Sequence, residues 1–171
     1  RVSDASSYAD DAAANAAIYA DADLTITGTG SLTVAGNGND GITSTDDLSI
    51  VAGDITVDAV DDGLRGKDAL VVEGGTIDVT AGGDALKSDQ DEDVTSGYVW
   101  ISPRGIVSDV VTVVEGADVT IDAADDGLHS NGSIGIVDGS VAVAAGDDGI
   151  HADATVEVHG GTTTVTESYE A

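Results

Sequence analysis

Asp125-Asp126-Gly127-Leu128 is the stretch that decides how this chain is read, because the chain keeps repeating it. It recurs as Asn39-Asp40-Gly41-Ile42, Asp61-Asp62-Gly63-Leu64, Gly83-Asp84-Ala85-Leu86 and Asp147-Asp148-Gly149-Ile150. Two worn copies are Asn15-Ala16-Ala17-Ile18 and Pro103-Arg104-Gly105-Ile106. The closing aliphatics, here called anchors, are Ile18, Ile42, Leu64, Leu86, Ile106, Leu128 and Ile150, spaced by 24, 22, 22, 20, 22 and 22 residues. A fixed period of this size marks a repeat architecture.

Each period carries the same punctuation. A short apolar-polar-apolar stretch follows the anchor, as in Leu24-Thr25-Ile26, Leu48-Ser49-Ile50, Leu70-Val71-Val72, Val99-Trp100-Ile101, Ile134-Gly135-Ile136 and Val156-Glu157-Val158. A Gly-centred turn comes next, then a second alternating stretch such as Ile55-Thr56-Val57 or Val119-Thr120-Ile121. Alternation at period two is the signal of a strand, and no segment carries helical periodicity. With the anchor's own strand this makes three strands per period of about 22 residues, one coil of an all-β parallel β-helix. A sandwich would need hairpin signals and would not hold this register. The chain is expected to be one solenoid domain over 1–171, with an irregular lead-in at 1–14 and an acidic loop at 88–97.

One interval breaks the pattern. Residues 105–128 align without a gap to 63–86, yet Leu86 to Ile106 spans only 20 residues and lacks a second strand. Either 102–114 belongs to a degenerate coil, or 86–128 is one coil carrying an insertion of roughly one period.

Composition agrees with a narrow β interior. Phe, Met and Cys are absent and there is one Trp, so the core must be Val, Ile, Leu and Ala. Without Cys there is neither a disulfide framework nor a thiolate metal site. No apolar run is long enough for a membrane-spanning helix. Five Lys+Arg against 33 Asp+Glu give a net charge of -28, which argues against nucleic acid and anionic membranes and favours cations or cation-bridged anions. A solvated acid coat suited to high salt is the plainer account of the same charge. The chain begins at Arg1, so a mature form or a fragment is expected, and the lack of an evident cap allows end-to-end self-association.

If anchors stack, residues at fixed offsets form rows. Two before the anchor come Ala16, Asp40, Asp62, Asp84, Arg104, Asp126 and Asp148; one after it, pointing outward, come Tyr19, Thr43, Arg65, Lys87, Val107, His129 and His151. Carboxylates stacked about 5 Å apart repel by roughly 3 kcal/mol per pair at an effective dielectric near 20. Such a row must lie in water or be filled with cations. Hard oxygen ligands favour Ca²⁺, with Asp84, Asp89, Asp91 and Asp93 the best cluster and Asp40, Asp61, Asp62, Asp125, Asp126, Asp147 and Asp148 as further ligands. The competing account is turn chemistry, each Asp capping its own backbone. The spacing is neither that of an EF-hand nor that of a nonapeptide calcium roll.

Apart from Arg1, the basic side chains are Arg65, Lys67, Lys87 and Arg104, each within three residues of an anchor, and His129 and His151 extend their row. This mixed face suits an anionic sugar whose carboxylates pair with Arg or Lys; internal salt bridging to the Asp row is the equal alternative. Tyr98 and Trp100 face outward on one strand and offer apolar surface to a sugar ring or to a neighbouring loop.

The order Asn15-Ala16-Ala17-Ile18, Asp46-Asp47-Leu48, Asp61-Asp62-Gly63-Leu64-Arg65-Gly66-Lys67-Asp68, Gly83-Asp84-Ala85-Leu86-Lys87-Ser88-Asp89-Gln90-Asp91-Glu92-Asp93 and Gly97-Tyr98-Val99 resembles bacterial extracellular carbohydrate-binding domain-containing proteins. The chain departs from their pattern at Ala85, where Gly is usual, and across Ser102 to Val114. The resemblance implies a right-handed parallel β-helix similar to pectate lyases, calcium ligation at Asp84, Asp89, Asp91, Asp93 and the other Asp-Gly corners, an extracellular or cell-surface location, and a polysaccharide partner, acidic ones included.

The expected function is therefore non-catalytic, calcium-dependent binding of acidic, uronate-containing polysaccharide. Two alternatives stand beside it. One is a pectate-lyase-like polysaccharide lyase with Arg65, Lys67 or Lys87 as base. The other is a structural, adhesive or filament-forming surface protein.

Overall fold

The structure, a computed structural model, describes residues 1–9, 12–88, 100–102, 105–107, 111–114 and 116–169, the three short segments between 100 and 114 as backbone alone. Among them there is no helix. Three parallel sheets wind about six times around one axis as a right-handed parallel β-helix.

The sheet carrying the anchors stacks Ala16–Ala20, Asp40–Ser44, Leu64–Gly66, Leu86–Ser88, Leu128–Ser130 and Ile150–Ala152. A second stacks Leu24–Ile26, Asp47–Ile50, Ala69–Val72, Val111–Val114, Ser133–Ile136 and Thr155–Val158. The third and longest stacks Val2–Ser3, Ser31–Gly36, Asp54–Ala59, Thr76–Ala81, Ala117–Ala123, Gly139–Ala145 and Thr162–Glu167.

Period-two alternation becomes alternating burial in each central coil. Along Thr76–Ala81 the residues Ile77, Val79 and Ala81 are buried, while Thr76, Asp78 and Thr80 face out. The anchors Ile42, Leu64, Leu86 and Leu128 are fully buried in one column, in register strand to strand. The core is Val, Ile, Leu and Ala throughout, as the composition requires.

The corner between the second and third sheets is the Gly turn. Gly28, Gly53, Gly75, Gly116, Gly139 and Gly161 all have positive φ there, where a Cβ is strained. The glycine of the Asp-Gly-Leu repeat has a different role. A Cβ on Gly63 would run into Val79 Cγ1 and come within 2.6 Å of the Ala85 carbonyl oxygen, so it is space inside the coil that demands Gly. Ala85, the departure in this row, is accommodated with no exposure.

The irregular interval resolves in the pairing. Leu86 lies beside Leu128, and Val111–Val114 sits between Ala69–Val72 and Ser133–Ile136. One coil therefore runs from Leu86 to Leu128 and carries the extra residues. Ile106 is not an anchor, Val107 is not in the outward row, and Trp100-Ile101 is not part of a coil strand. Instead Trp100–Ser102 pairs antiparallel with Gly105–Val107. Once the chain leaves the stack, local apolar alternation cannot tell a coil strand from a strand of the excursion.

At the C-terminal edge, Val156, Val158 and Val165 are 47%, 55% and 44% exposed. At the other edge Asp4 accepts the main-chain N–H groups of Asn37 and Gly38 at 2.6 and 3.3 Å, and the Tyr8 hydroxyl donates to Asp4 at 2.6 Å.

Candidate functional site

The second Asp of each repeat lies two residues before its buried anchor, at the corner that leads into the anchor sheet. Asp40, Asp62, Asp84 and Asp126 nevertheless have only 0%, 3%, 4% and 5% exposure. Their burial is offset by hydrogen bonds to the next coil. Oδ1 of Asp40 accepts the main-chain N–H of Asp62 at 3.3 Å, Asp62 that of Asp84 at 3.1 Å, Asp84 that of Asp126 at 3.1 Å and Asp126 that of Asp148 at 3.0 Å. These carboxylates thus cap the neighbouring coil, where turn chemistry would have each Asp cap its own backbone.

The second oxygen faces the basic row. Thr43, Arg65, Lys87, His129 and His151 stack in register on successive coils. Thr43 donates to Asp40 Oδ2 at 2.9 Å, and Arg65 approaches the same atom at 3.7 Å. Lys87 Nζ lies 3.1 Å from Asp62 Oδ2 and 3.0 Å from Asp84 Oδ2, bridging two coils. His129 Nδ1 is 2.7 Å from Asp126 Oδ2, and His151 Nδ1 is 3.3 Å from that atom and 3.4 Å from Asp148 Oδ2. The carboxylate ladder is thus filled by the protein's own side chains.

Burial sets the electrostatics. It pushes the Asp62 carboxyl up to about 6, further than Lys87 pulls it down, with repulsion from Asp40 and Asp61 added. Asp40 is also raised, burial outweighing the Thr43 hydroxyl and Arg65. Burial alone would lower Lys87, but the Asp62 and Asp84 carboxylates win and hold its ammonium above the ordinary lysine value. For His129 too, burial is overcome by the hydrogen bond to Asp126 and the charge of Asp84, and its pKa rises.

The remaining expected residues divide clearly. Asp61, Asp125 and Asp147 are exposed beside the buried row. Burial pushes Asp125 up, with repulsion from Asp84, Asp126 and Asp147 adding to it. Ligand atoms of Asp84, Asp125 and Asp126 lie within 4.8 Å of one another. Lys67 sits past the anchor strand beside Asp68, whose carboxyl burial and repulsion from Asp46 raise against the opposing pull of Lys67. Asp89, Asp91, Asp93, Tyr98 and Arg104 lie outside the described residues, as does the side chain of Trp100.

Two features escaped the repeat motif. At the corner after the anchor strand, burial and then repulsion from Asp23, Asp68 and Asp46 raise Asp47. On the long sheet, Asp54, Thr56 and Asp58 pair with Thr76, Asp78 and Thr80, which pair with Asp118, Thr120 and Asp122. All nine face solvent, a checkerboard of carboxylates and hydroxyls. Its signal was the polar half of the strand alternation, laid out by the same period.

This architecture matches known proteins. A solved structure, that of a polysaccharide lyase-like protein from C. thermocellum prepared as a gadolinium derivative, superposes with a TM-score of 0.76 at 33% identity, covering 90% of this chain. The chain spans 58% of that protein's length. No curated protein matches. Residues 1–103 and 100–149 match the carbohydrate-binding domain-containing protein family. The Asp-Gly coils lie inside that match, and the chain belongs to the carbohydrate-binding domain-containing protein family.

Proposed function

We propose that this solenoid is a non-catalytic, extracellular module that binds acidic, uronate-containing polysaccharide through bound calcium. Family membership supports the polysaccharide, and the observation that carries the non-catalytic part is the state of Lys87. Abstraction of a proton by a lyase base needs a neutral nitrogen near working pH. Lys87 is held protonated by Asp62 and Asp84, and the Arg65 guanidinium, which stays charged, lies against Asp40. Both are structural counter-ions, so a glycan carboxylate would have to compete with buried aspartates for them.

An acidic glycan therefore needs another cation. The buried row does not fit calcium, because each Oδ1 takes an N–H and the Oδ2 atoms of Asp62 and Asp84 hold Lys87. The corner of Asp23, Asp46, Asp47 and Asp68 offers hard oxygen ligands whose mutual repulsion a divalent ion would relieve, and exposed Asp125 beside Asp84 and Asp126 offers another. Calorimetry with polygalacturonate is expected to show binding in calcium that EDTA abolishes, with no release of unsaturated uronate. Equal binding of a neutral glucan in EDTA would overturn the acidic, calcium-bridged part, and unsaturated product would overturn the non-catalytic part.

One observation favours a second, structural reading. The last coil carries exposed Val156, Val158 and Val165, an apolar patch that a second copy would cover. Copies associating there would sediment as oligomers that Val158→Lys dissolves. A wild-type chain that stays monomeric at high concentration would rule this out.

A further inference from the structure

The basic row changes chemistry partway along. Arg65 and Lys87 can only be counter-ions, whereas the next two places in register hold imidazoles, His129 and His151. Their rings lie 4.9 Å apart, centroid to centroid, tilted by 34°. Both Nδ1 atoms converge on one carboxylate oxygen, Asp126 Oδ2, at 2.7 and 3.3 Å, and His151 Nδ1 is also 3.4 Å from Asp148 Oδ2. The ligand atoms of Asp126, His129 and His151 all lie within 4.8 Å of one another.

We propose that Asp126, His129 and His151, with Asp148 able to close the set, form a binding site for a divalent transition ion of the zinc class. Two imidazole nitrogens select such an ion over calcium, which takes oxygen ligands. Zinc bonds of about 2.0–2.2 Å in a tetrahedral array put ligand atoms roughly 3.3 Å apart. The separations of 3.3 and 3.4 Å already meet that spacing, and the 2.7 Å contact is a hydrogen bond that opens when an ion replaces its proton.

The far side of each ring supplies an independent observation. His129 Nε2 lies 3.2 Å from Asn131 Oδ1, and His151 Nε2 lies 3.5 Å from Asp153 Oδ1. An oxygen acceptor at Nε2 holds a proton on that nitrogen, so the proton given up when an ion binds is the one on Nδ1. On the next coil Asp153 stands in the corresponding place, but at an ion-pair distance from His151. Access is open from one side, since the His151 side chain is 41% exposed and the Asp126 side chain 7%. A divalent ion would also supply, on these coils, the positive charge that Arg65 and Lys87 bring to the ladder above. This site does not depend on the glycan reading.

The test is calorimetric titration of the whole chain with Zn²⁺ in excess Ca²⁺, which fills sites made of carboxylates alone. One saturable equivalent per chain is expected. His151→Ala should remove it, and Asn131→Ala should weaken it about 10- to 100-fold by freeing the ring it orients. His159→Ala, which removes an exposed imidazole beside Glu157, should leave it unchanged. Co²⁺ in place of Zn²⁺ should give the d–d absorption of a four-coordinate site. Absence of saturable binding, its survival in His151→Ala, or its equal loss in His159→Ala would overturn the proposal.

Discussion

Lys87→Met is expected to cost about 3 to 5 kcal/mol of folding stability at pH 8, the range for removing one partner of a buried ion pair. The methionine keeps most of the stem's packing but leaves two buried carboxylates, Asp62 and Asp84, without the ammonium that lies 3.1 and 3.0 Å away. An exposed pair would cost about 1 kcal/mol or less, but here the acid side chains are only 4% and 5% exposed. The loss should shrink on acidification. Asp62 titrates near 6 in the folded chain against an unperturbed 3.8. A carboxyl raised by folding binds its proton more tightly when folded. Its contribution is full below 3.8 and lost as pH rises through about 6. His129, raised above 6.5, works in the same direction: its contribution is full below 6.5 and lost as pH rises through the higher folded value. Urea denaturation at pH 8 and pH 5 measures both effects. A cost under about 1 kcal/mol at pH 8, or one that does not change with pH, would show that Lys87 does not hold the ladder.

Leu64→Ala should cost about 3 to 5 kcal/mol, toward the upper part of the range for buried leucines. Leu64 lies between Ile42 and Leu86 in the column, and none of the three is exposed. The spacing of that column is set by ladder hydrogen bonds on both sides, so the coils cannot close over the cavity. Ile150→Ala, at the half-buried end of the column, should cost distinctly less because solvent already reaches that coil. Denaturation midpoints at constant urea dependence would check the pair. Equal losses at the two positions would contradict a rigid stacked column.

Much of the fold was legible because a solenoid writes its geometry as a period. The recurrence of Asp62-Gly63-Leu64 at Asp126-Gly127-Leu128 placed the anchors in the core, and the two-residue alternation gave each strand its inner face. The antiparallel pair of Trp100–Ser102 and Gly105–Val107 was not legible. Pro103-Arg104-Gly105-Ile106 imitates the repeat, and only the pairing of Leu86 with Leu128 removes it from the column. The rows of the candidate site were legible as rows, since offset from the anchor fixes them. Whether Arg65 and Lys87 faced a ligand or the protein was not, because that depends on side-chain reach across coils.

The sequence alone determined the coil: its period, its aliphatic core, its turn glycines and the alignment of aspartates and basic residues in parallel rows. These follow from local periodicity, which the backbone converts directly into direction. Tertiary structure decided the rest. It buried Asp40, Asp62, Asp84 and Asp126, gave one oxygen of each to the next coil's N–H, and turned the other toward Lys87, Arg65 or a histidine. It also showed that the glycine of Asp125-Asp126-Gly127-Leu128 leaves room for Val143 and the Gly149 carbonyl and does not form the turn. The physical reason is the same in each case. Burial and partnership are set by atoms one coil away, about 22 residues distant in sequence, and no short motif records what its neighbour will offer.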